Sequence, residues 1–343
     1  MSRRVLIIGG TGLISAAALP HLLARGDEVT LLTRGRSTRP IPPACRHIVV
    51  DRQDEASLDD AVRRLPEQDC VIDMVCYKPA EATSAARVFA GRTRQYLLCS
   101  TVDVYAKPNG ATRYPIRENE PRLGLNPYGQ DKVACETILE SAAEDGAFQL
   151  TILRPAHTCD DTGALIHTFG WGTFWISRIR EQQPIIVHGD GSSLWCVAHA
   201  DDVGRAFAAA AGNPRTFGRA YNVSGTEWMT WNQLYLRAAD TLGWPTPRLM
   251  HIPTVVLLQL APGPASIVQS NFRFNNVFDT SPAERDLGFR CDISYAQMTE
   301  RIIALLQSRG TIEPADRHPW YDALLDRWTE LTRQLSSATG GAS

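Results

Sequence analysis

Lysine is almost missing from this chain. Only Lys78, Lys107 and Lys132 occur among 35 basic residues, so arginine carries nearly all the positive charge. Paired cysteines are missing too. Eight cysteines are scattered with no Cys-x-x-Cys pair, so neither a zinc knuckle nor a thioredoxin-type motif is signalled and no metal site is expected. Several lie in apolar runs, where a free thiol behaves as a small hydrophobe, which fits a reducing, cytoplasmic compartment. No apolar run approaches the ~20 residues of a membrane span. The first nine residues, Met1 to Gly9, do not read as a signal peptide, because a glycine turn follows a short apolar stretch at once. Net charge is −2 over 343 residues, so no global field favours nucleic acid or anionic membrane.

Apolar residues make up 44% of the chain and charged residues 21%, a globular composition. The first half alternates short apolar runs with helical stretches. Strands are read at 5–8, 29–32, 47–50, 71–75, 95–99 and 150–153. Helices are read at 13–25, 57–65, 80–90 and 132–144. Strands that are apolar throughout and separated by helices imply a parallel sheet covered on both faces. The predicted fold is therefore a Rossmann-type, doubly wound α/β sheet with a smaller, mixed α/β carboxyl-terminal substrate-binding region. The dinucleotide-binding domain is placed at 1–155 and completed by about 195–225. The substrate region is placed at 156–194 and 226–335, as a cap over the sheet. Residues 336–343 read as a frayed tail.

The motif Gly9-Gly10-Thr11-Gly12-Leu13-Ile14-Ser15 links the first strand to the first helix. Glycines there let backbone approach a pyrophosphate, and the helix N-terminus offers N–H groups to it. Gly9, Thr11, Gly12, Leu13 and Ile14 are the expected contacts. The third small position holds Ser15 in place of Gly. After the second strand, where NAD sites usually place a carboxylate, stand Thr33, Arg34, Gly35 and Arg36. Arg34 and Arg36 are either solvated or clamp a 2′-phosphate, so NADP(H) is favoured over NAD(H). Asp51 and its neighbour Arg52 are expected at the adenine.

Tyr128 and Lys132 lie four apart on a predicted helix, hence on one face. Lys132 is expected to lower the Tyr128 pKa and so tune it to move a proton at a carbinol or ketone oxygen. Thr101 and Ser100 end a strand at the sheet's carboxyl edge, with Thr101 beside the reacting oxygen.

In these motifs the chain resembles the extended short-chain dehydrogenase/reductases, the NAD-dependent epimerase/dehydratase group. The resemblance is carried by Gly9 to Ser15, Ser100-Thr101 with Val104-Tyr105, Asn126 to Lys132 with Glu136, and Leu153-Arg154-Pro155. It continues through Gly189-Asp190-Gly191, His199 with Asp201-Asp202, and Tyr221 to Gly225. It implies Thr101, Tyr128 and Lys132 as the catalytic set. It also implies Pro155 near the nicotinamide and Met74 to Cys76, with Val75 and Cys76 as contacts, along the adenosine ribose.

Departures from that family narrow the chemistry. The 4,6-dehydratases carry Thr-Asp-Glu where this chain has Thr101-Val102-Asp103, which disfavours dehydration. Nucleotide-sugar epimerases carry an arginine where Trp195 stands, and an asparagine where His157 stands. Trp195 either faces a sugar ring or packs in a core. Tyr77, Val102, Asp103, His157 and Trp195 are the candidate substrate contacts. The favoured activity is a ketone reductase or alcohol dehydrogenase acting on a sugar-like small molecule such as a glycoside, aminoglycoside or nucleoside. An epimerase with bound NAD is the alternative. A remoter one is RNA binding, because the Gly189 to Trp195 segment resembles the chloroplast stem-loop RNA-binding branch. The family resemblance also implies a homodimer paired through the helices at 80–90 and 132–144.

Overall fold

The computed structural model describes residues 2–107, 113–124, 126–162 and 165–339. The chain divides into two compact units. The first comprises 1–160, 196–227 and 277–293, and the second 161–195, 228–276 and 294–343.

The first unit is built on seven parallel strands. In chain order these are β1 (Arg4–Ile8), β2 (Glu28–Thr33), β3 (Arg46–Val49), β4 (Gln68–Asp73), β5 (Thr93–Cys99), β6 (Gln149–Pro155) and the Arg219–Val223 strand. They lie in the order Arg219–Val223, β6, β5, β4, β1, β2, β3. Ile8 is in register with Leu32 on one side and Asp73 on the other. The order therefore reverses beside β1, and a crevice opens there at the carboxyl edge. Successive residues of β1 enter opposite layers. Val5 and Ile7 pack with Leu22, Ile72 and Phe207, whereas Leu6 and Ile8 pack with Leu58, Val71 and Phe89. Each such fully buried side chain stabilises the fold by about 1.5–3 kcal/mol. Helices α1 (Leu13–Ala24), α2 (Glu55–Arg63), α3 (Pro79–Phe89) and α4 (Pro127–Glu144) provide the crossovers that keep the strands parallel.

Two boundaries differ from the sequence reading for local reasons. The fourth strand stops at Asp73 and not at Val75, because the Asp73 carboxylate accepts a hydrogen bond from the Val75 N–H (3.0 Å), forming an Asx turn. Helix α4 starts at Pro127. Asn126 caps the Gly129 N–H (2.8 Å), and proline suits the first helical position. The third strand is not apolar throughout; as the sheet edge it leaves Arg46, His47 and Val49 exposed.

The second unit contains helices Phe174–Arg180, Trp231–Thr241, Thr254–Leu260, Tyr295–Arg309 and Pro319–Thr339. It also has a parallel strand pair, Ile185–His188 with Leu249–Ile252. Thr230 caps its helix in a reciprocal capping box with Gln233. The last helix runs through Thr339, so 336–339 are not a frayed tail, and 340–343 lie outside the described residues. No helix among the described residues is long and apolar enough to cross a membrane.

Candidate active site

The glycine loop is shaped by one left-handed residue and one hydroxyl. Gly9 has φ of +85°, and a Cβ there would lie 2.5 Å from the Val75 side chain. Ser15 Oγ donates to the Gly9 carbonyl (2.8 Å) and also lies 3.2 Å from that of Gly12. The serine that departs from the usual glycine thus pins the loop from within the helix. Leu13 and Ile14 open α1, whose first turn carries no acidic residue and no side-chain cap. Those N–H groups remain available to an anion.

Beside the loop is a cavity of about 470 Å³. Gly9, Thr11, Gly12, Thr33, Arg34, Arg36, Asp51, Arg52, Val75 and Tyr77 line it. It fits the adenosine half of a dinucleotide: small backbone at one wall, arginines at the end of β2, and Asp51 at the end of β3. Arg52 lines the cavity while its guanidinium is also held by the wall. Its Nη1 meets Asp73 Oδ2 at 2.5 Å and its Nη2 donates to the Glu81 carbonyl at 2.7 Å. Asp73 also accepts from the Tyr96 hydroxyl (2.5 Å). Arg52 therefore braces the cavity wall.

Helix α4 carries the catalytic candidates to the carboxyl edge of β5. Lys132, fully buried, donates from Nζ to the carbonyls of Cys76 and Cys99 (2.8 Å each). Its Nζ lies 4.9 Å from the Tyr77 ring centre and 5.9 Å from that of Tyr128. Cys76 thus enters through its carbonyl, and its thiol is buried. Thr101 opens the 102–104 turn, accepting from the Asp103 N–H (3.2 Å), and its side chain is close enough to Tyr128 to oppose the rise in the phenol's pKa. The Ser100 hydroxyl is buried without a hydrogen-bond partner.

Lys132 does not head the influences on the Tyr128 hydroxyl. Desolvation raises the phenol above its ordinary range, with Cys99, Asp103 and Tyr77 adding to the rise and Thr101 opposing it. Lys132 is held by two backbone carbonyls, where it ties α4 to the end of β5 and to the segment that follows β4. A phenol so placed holds its proton and is an acid at neutral pH.

The remaining substrate candidates separate. Val102 is buried with Val104, Tyr105, Ile116 and Phe278, so it belongs to a small core. Asp103 is paired with the buried Lys107 (3.2 Å). Lys78 is the exposed one, and pairs with Asp131 at 2.5 Å. Tyr77 is exposed and lines the cavity. His157 is half-buried, and burial lowers its pKa to about 4, so its imidazole is neutral at physiological pH. In the second unit Trp195 is buried, 4.8 Å from the Phe272 ring and 5.5 Å from Trp231, which is the core-packing alternative. Pro155 ends β6 opposite Val223.

Beneath the site runs a buried charge network that the sequence shows only in pieces. Glu136 receives Arg154 Nε (2.9 Å), Arg154 Nη2 (2.7 Å) and Arg122 Nη1 (2.6 Å). Burial works to raise the Glu136 carboxyl. The hydrogen bonds and charge of Arg154, with the bond from Arg122, outweigh it and hold the pKa below its ordinary value. Arg154 also donates to the Tyr105 hydroxyl (2.9 Å), which in turn bonds Asn222 Oδ1 at 2.5 Å.

The approach of α4 to the 102–104 turn depends on Gly129. A Cβ there would meet the Asp103 carbonyl oxygen at 2.4 Å. Gly129→Ala is expected to push Tyr128 away from Thr101 and lower turnover by roughly 100-fold, the scale of a 1 Å misplacement, with cooperative unfolding retained. Unchanged turnover would show that the turn yields instead.

Comparison with known proteins agrees with this geometry. The family model described as "NAD dependent epimerase/dehydratase family" matches residues 5–224. A 2'-dehydrokanamycin reductase from Streptomyces kanamyceticus is 29% identical over 71% of this chain and 67% of its own length. The chloroplast stem-loop binding protein of 41 kDa b from Arabidopsis thaliana is 25% identical over 73% of this chain and 66% of its own. The matched regions thus span about two thirds of those relatives. Among solved structures, a UDP-glucose 4-epimerase from Thermotoga maritima superposes with a TM-score of 0.70, covering 89% of this chain and 99% of its own at 17% identity.

Proposed function

Since the chain belongs to the NAD dependent epimerase/dehydratase family, we propose that this enzyme is an NADP(H)-dependent ketone reductase. Its proposed substrate is a sugar-like molecule such as a glycoside, aminoglycoside or nucleoside, in secondary metabolism. The observation that carries the reading is the pair Arg34 and Arg36, which line the adenosine cavity at the end of β2 where no carboxylate stands. Guanidiniums there suit a 2′-phosphate, and carry no preference for a free ribose. The reductase relative from Streptomyces kanamyceticus, named for 2'-dehydrokanamycin, supports net reduction and the substrate class.

When bound, the nicotinamide supplies a hydride to the carbonyl carbon. Tyr128 gives its proton to the carbonyl oxygen as that oxygen gains charge, and is reprotonated from solvent. Thr101 holds the same oxygen beside the phenol. Lys132 fixes the Tyr128 helix against the Cys76 and Cys99 carbonyls, and so fixes the distance over which the proton passes. Asp103 is held by Lys107, which weighs against its serving to eliminate water. The chloroplast relative keeps RNA binding in view, but a proton-holding tyrosine beside Thr101 serves a carbonyl. The same reading includes a cytoplasmic homodimer paired through α3 and α4.

The test replaces Arg34 and Arg36 together by alanine. The wild-type protein is expected to bind NADPH more than about tenfold tighter than NADH, about 1.4 kcal/mol. The double variant is expected to lose that preference while its NADH affinity stays. An equal preference before and after would remove the 2′-phosphate role.

A further inference from the structure

Two of the three lysines meet a carboxylate. Lys78 meets Asp131 and Lys107 meets Asp103. Lys132, the most deeply buried of the three, meets none among the described residues. Taking an ammonium out of water is costly unless other groups replace its hydration. Lys132 has three N–H donors at Nζ. The Cys76 and Cys99 carbonyls take two of them, at 2.8 Å each. The rest of its surroundings is aromatic, with the Tyr77 ring centre at 4.9 Å and that of Tyr128 at 5.9 Å. A ring face attracts a cation, and most strongly where water is excluded.

Tyr77 is the nearer ring and the one that does not belong to α4. Its backbone is fixed from α3, because the buried Glu81 carboxylate accepts from the N–H groups of Tyr77 (2.7 Å) and Lys78 (3.0 Å). Tyr77 is also 46% exposed and lines the cavity beside the glycine loop, which Lys132 does not. One aromatic side chain thus borders solvent in the cavity and rests on a buried cation that has no anion.

We propose that Tyr77 is a positioning residue for Lys132. Its ring covers the ammonium on the cavity side and keeps water from competing for it. Lys132 then stays on the two carbonyls that hold α4, and with it Tyr128. This role needs the ring and not the hydroxyl, and so differs from the substrate contact expected of Tyr77. Its bearing on turnover rests on the catalytic part of the proposed function. The cover itself is measurable without cofactor or substrate.

The scarcity of lysine makes the test direct. Isotope-labelled lysine gives three side-chain ammonium groups, which Lys78→Arg and Lys107→Arg assign. Exchange of their protons with water is followed by NMR in wild type, Tyr77→Phe and Tyr77→Leu. The leucine variant is expected to speed exchange at Lys132 by about tenfold, and the phenylalanine variant to stay within about twofold of wild type. Lys107, buried by Asp103 and Phe278, is the internal control and is expected to exchange alike in all three. At saturating NADPH, kcat for ketone reduction is expected to fall further in the leucine variant than in the phenylalanine variant, because the distance from Tyr128 to the carbonyl oxygen loosens. Should Tyr77→Leu melt well below wild type, Tyr77→Met, which fills more of the ring's volume, carries the comparison. Equal exchange at Lys132 with and without the ring would overturn the proposal. So would a loss of protection in Tyr77→Phe, which would give the role to the hydroxyl. A protein whose Lys132 protection depends on the Tyr77 ring but which reduces no sugar ketone would contradict the proposed activity and leave this inference standing.

Discussion

Tyr128→Phe is expected to lower ketone reduction by about 10²–10⁴-fold, the range spanned by a positioned general acid. NADPH affinity is expected to stay, because the hydroxyl faces Thr101 and the adenosine cavity lies elsewhere along the sheet edge. The pH dependence follows from the same residue. Desolvation first, then the neighbouring Cys99, Asp103 and Tyr77, hold its proton on to a higher pH than an ordinary phenol. The acid form is therefore the populated one throughout the neutral range, and reduction is expected to be flat from pH 6 to about 9. Oxidation of the product alcohol needs the phenolate and is expected to rise with pH. Steady-state rates in both directions check this. A reduction rate that falls between pH 7 and 8 would mean that Lys132 dominates the titration of the phenol.

Arg154→Met is expected to cost about 3–5 kcal/mol of stability, the scale for removing one partner of a buried ion pair. Glu136 would then lie fully buried with Arg122 alone, a partner that is itself partly exposed. Tyr105 and Asn222, which share the network, would lose their link to α4. The sign of the acid dependence is fixed. The Glu136 pKa is depressed in the fold, so its stabilisation is complete above the unfolded value near 4.3 and is lost as pH falls through the folded value. Urea unfolding at pH 7 and at low pH measures both. Glu136→Gln is expected to flatten the acid limb, whereas a wild-type stability that rises on acidification would contradict the network's role.

The parts of the fold that were legible in the sequence are those where one local signal dominates. Val5 to Ile8 before Gly9-Gly10-Thr11-Gly12 names a strand, a turn and a helix together, because burial on both faces and a left-handed glycine leave little choice. Asn126-Pro127 announces the start of α4 by cap and proline. What stayed hidden depends on contacts between distant residues. That Asp103 and Phe278 are brought around Lys107 is not visible in the sequence. That Asp73, at the end of β4, holds the Arg52 guanidinium is likewise not visible in the sequence. Trp195 had two open readings, and only its neighbours Trp231 and Phe272 decide between them.

The central claim is that this enzyme exchanges its cofactor and performs net reduction. The most direct measurement is to purify the protein, denature it, and identify any dinucleotide released, while titrating the native protein with NADPH and NADH. The account expects a protein largely free of dinucleotide that binds NADPH more than about tenfold tighter than NADH. Stoichiometric NAD carried through purification would contradict it and point to epimerisation through a retained cofactor.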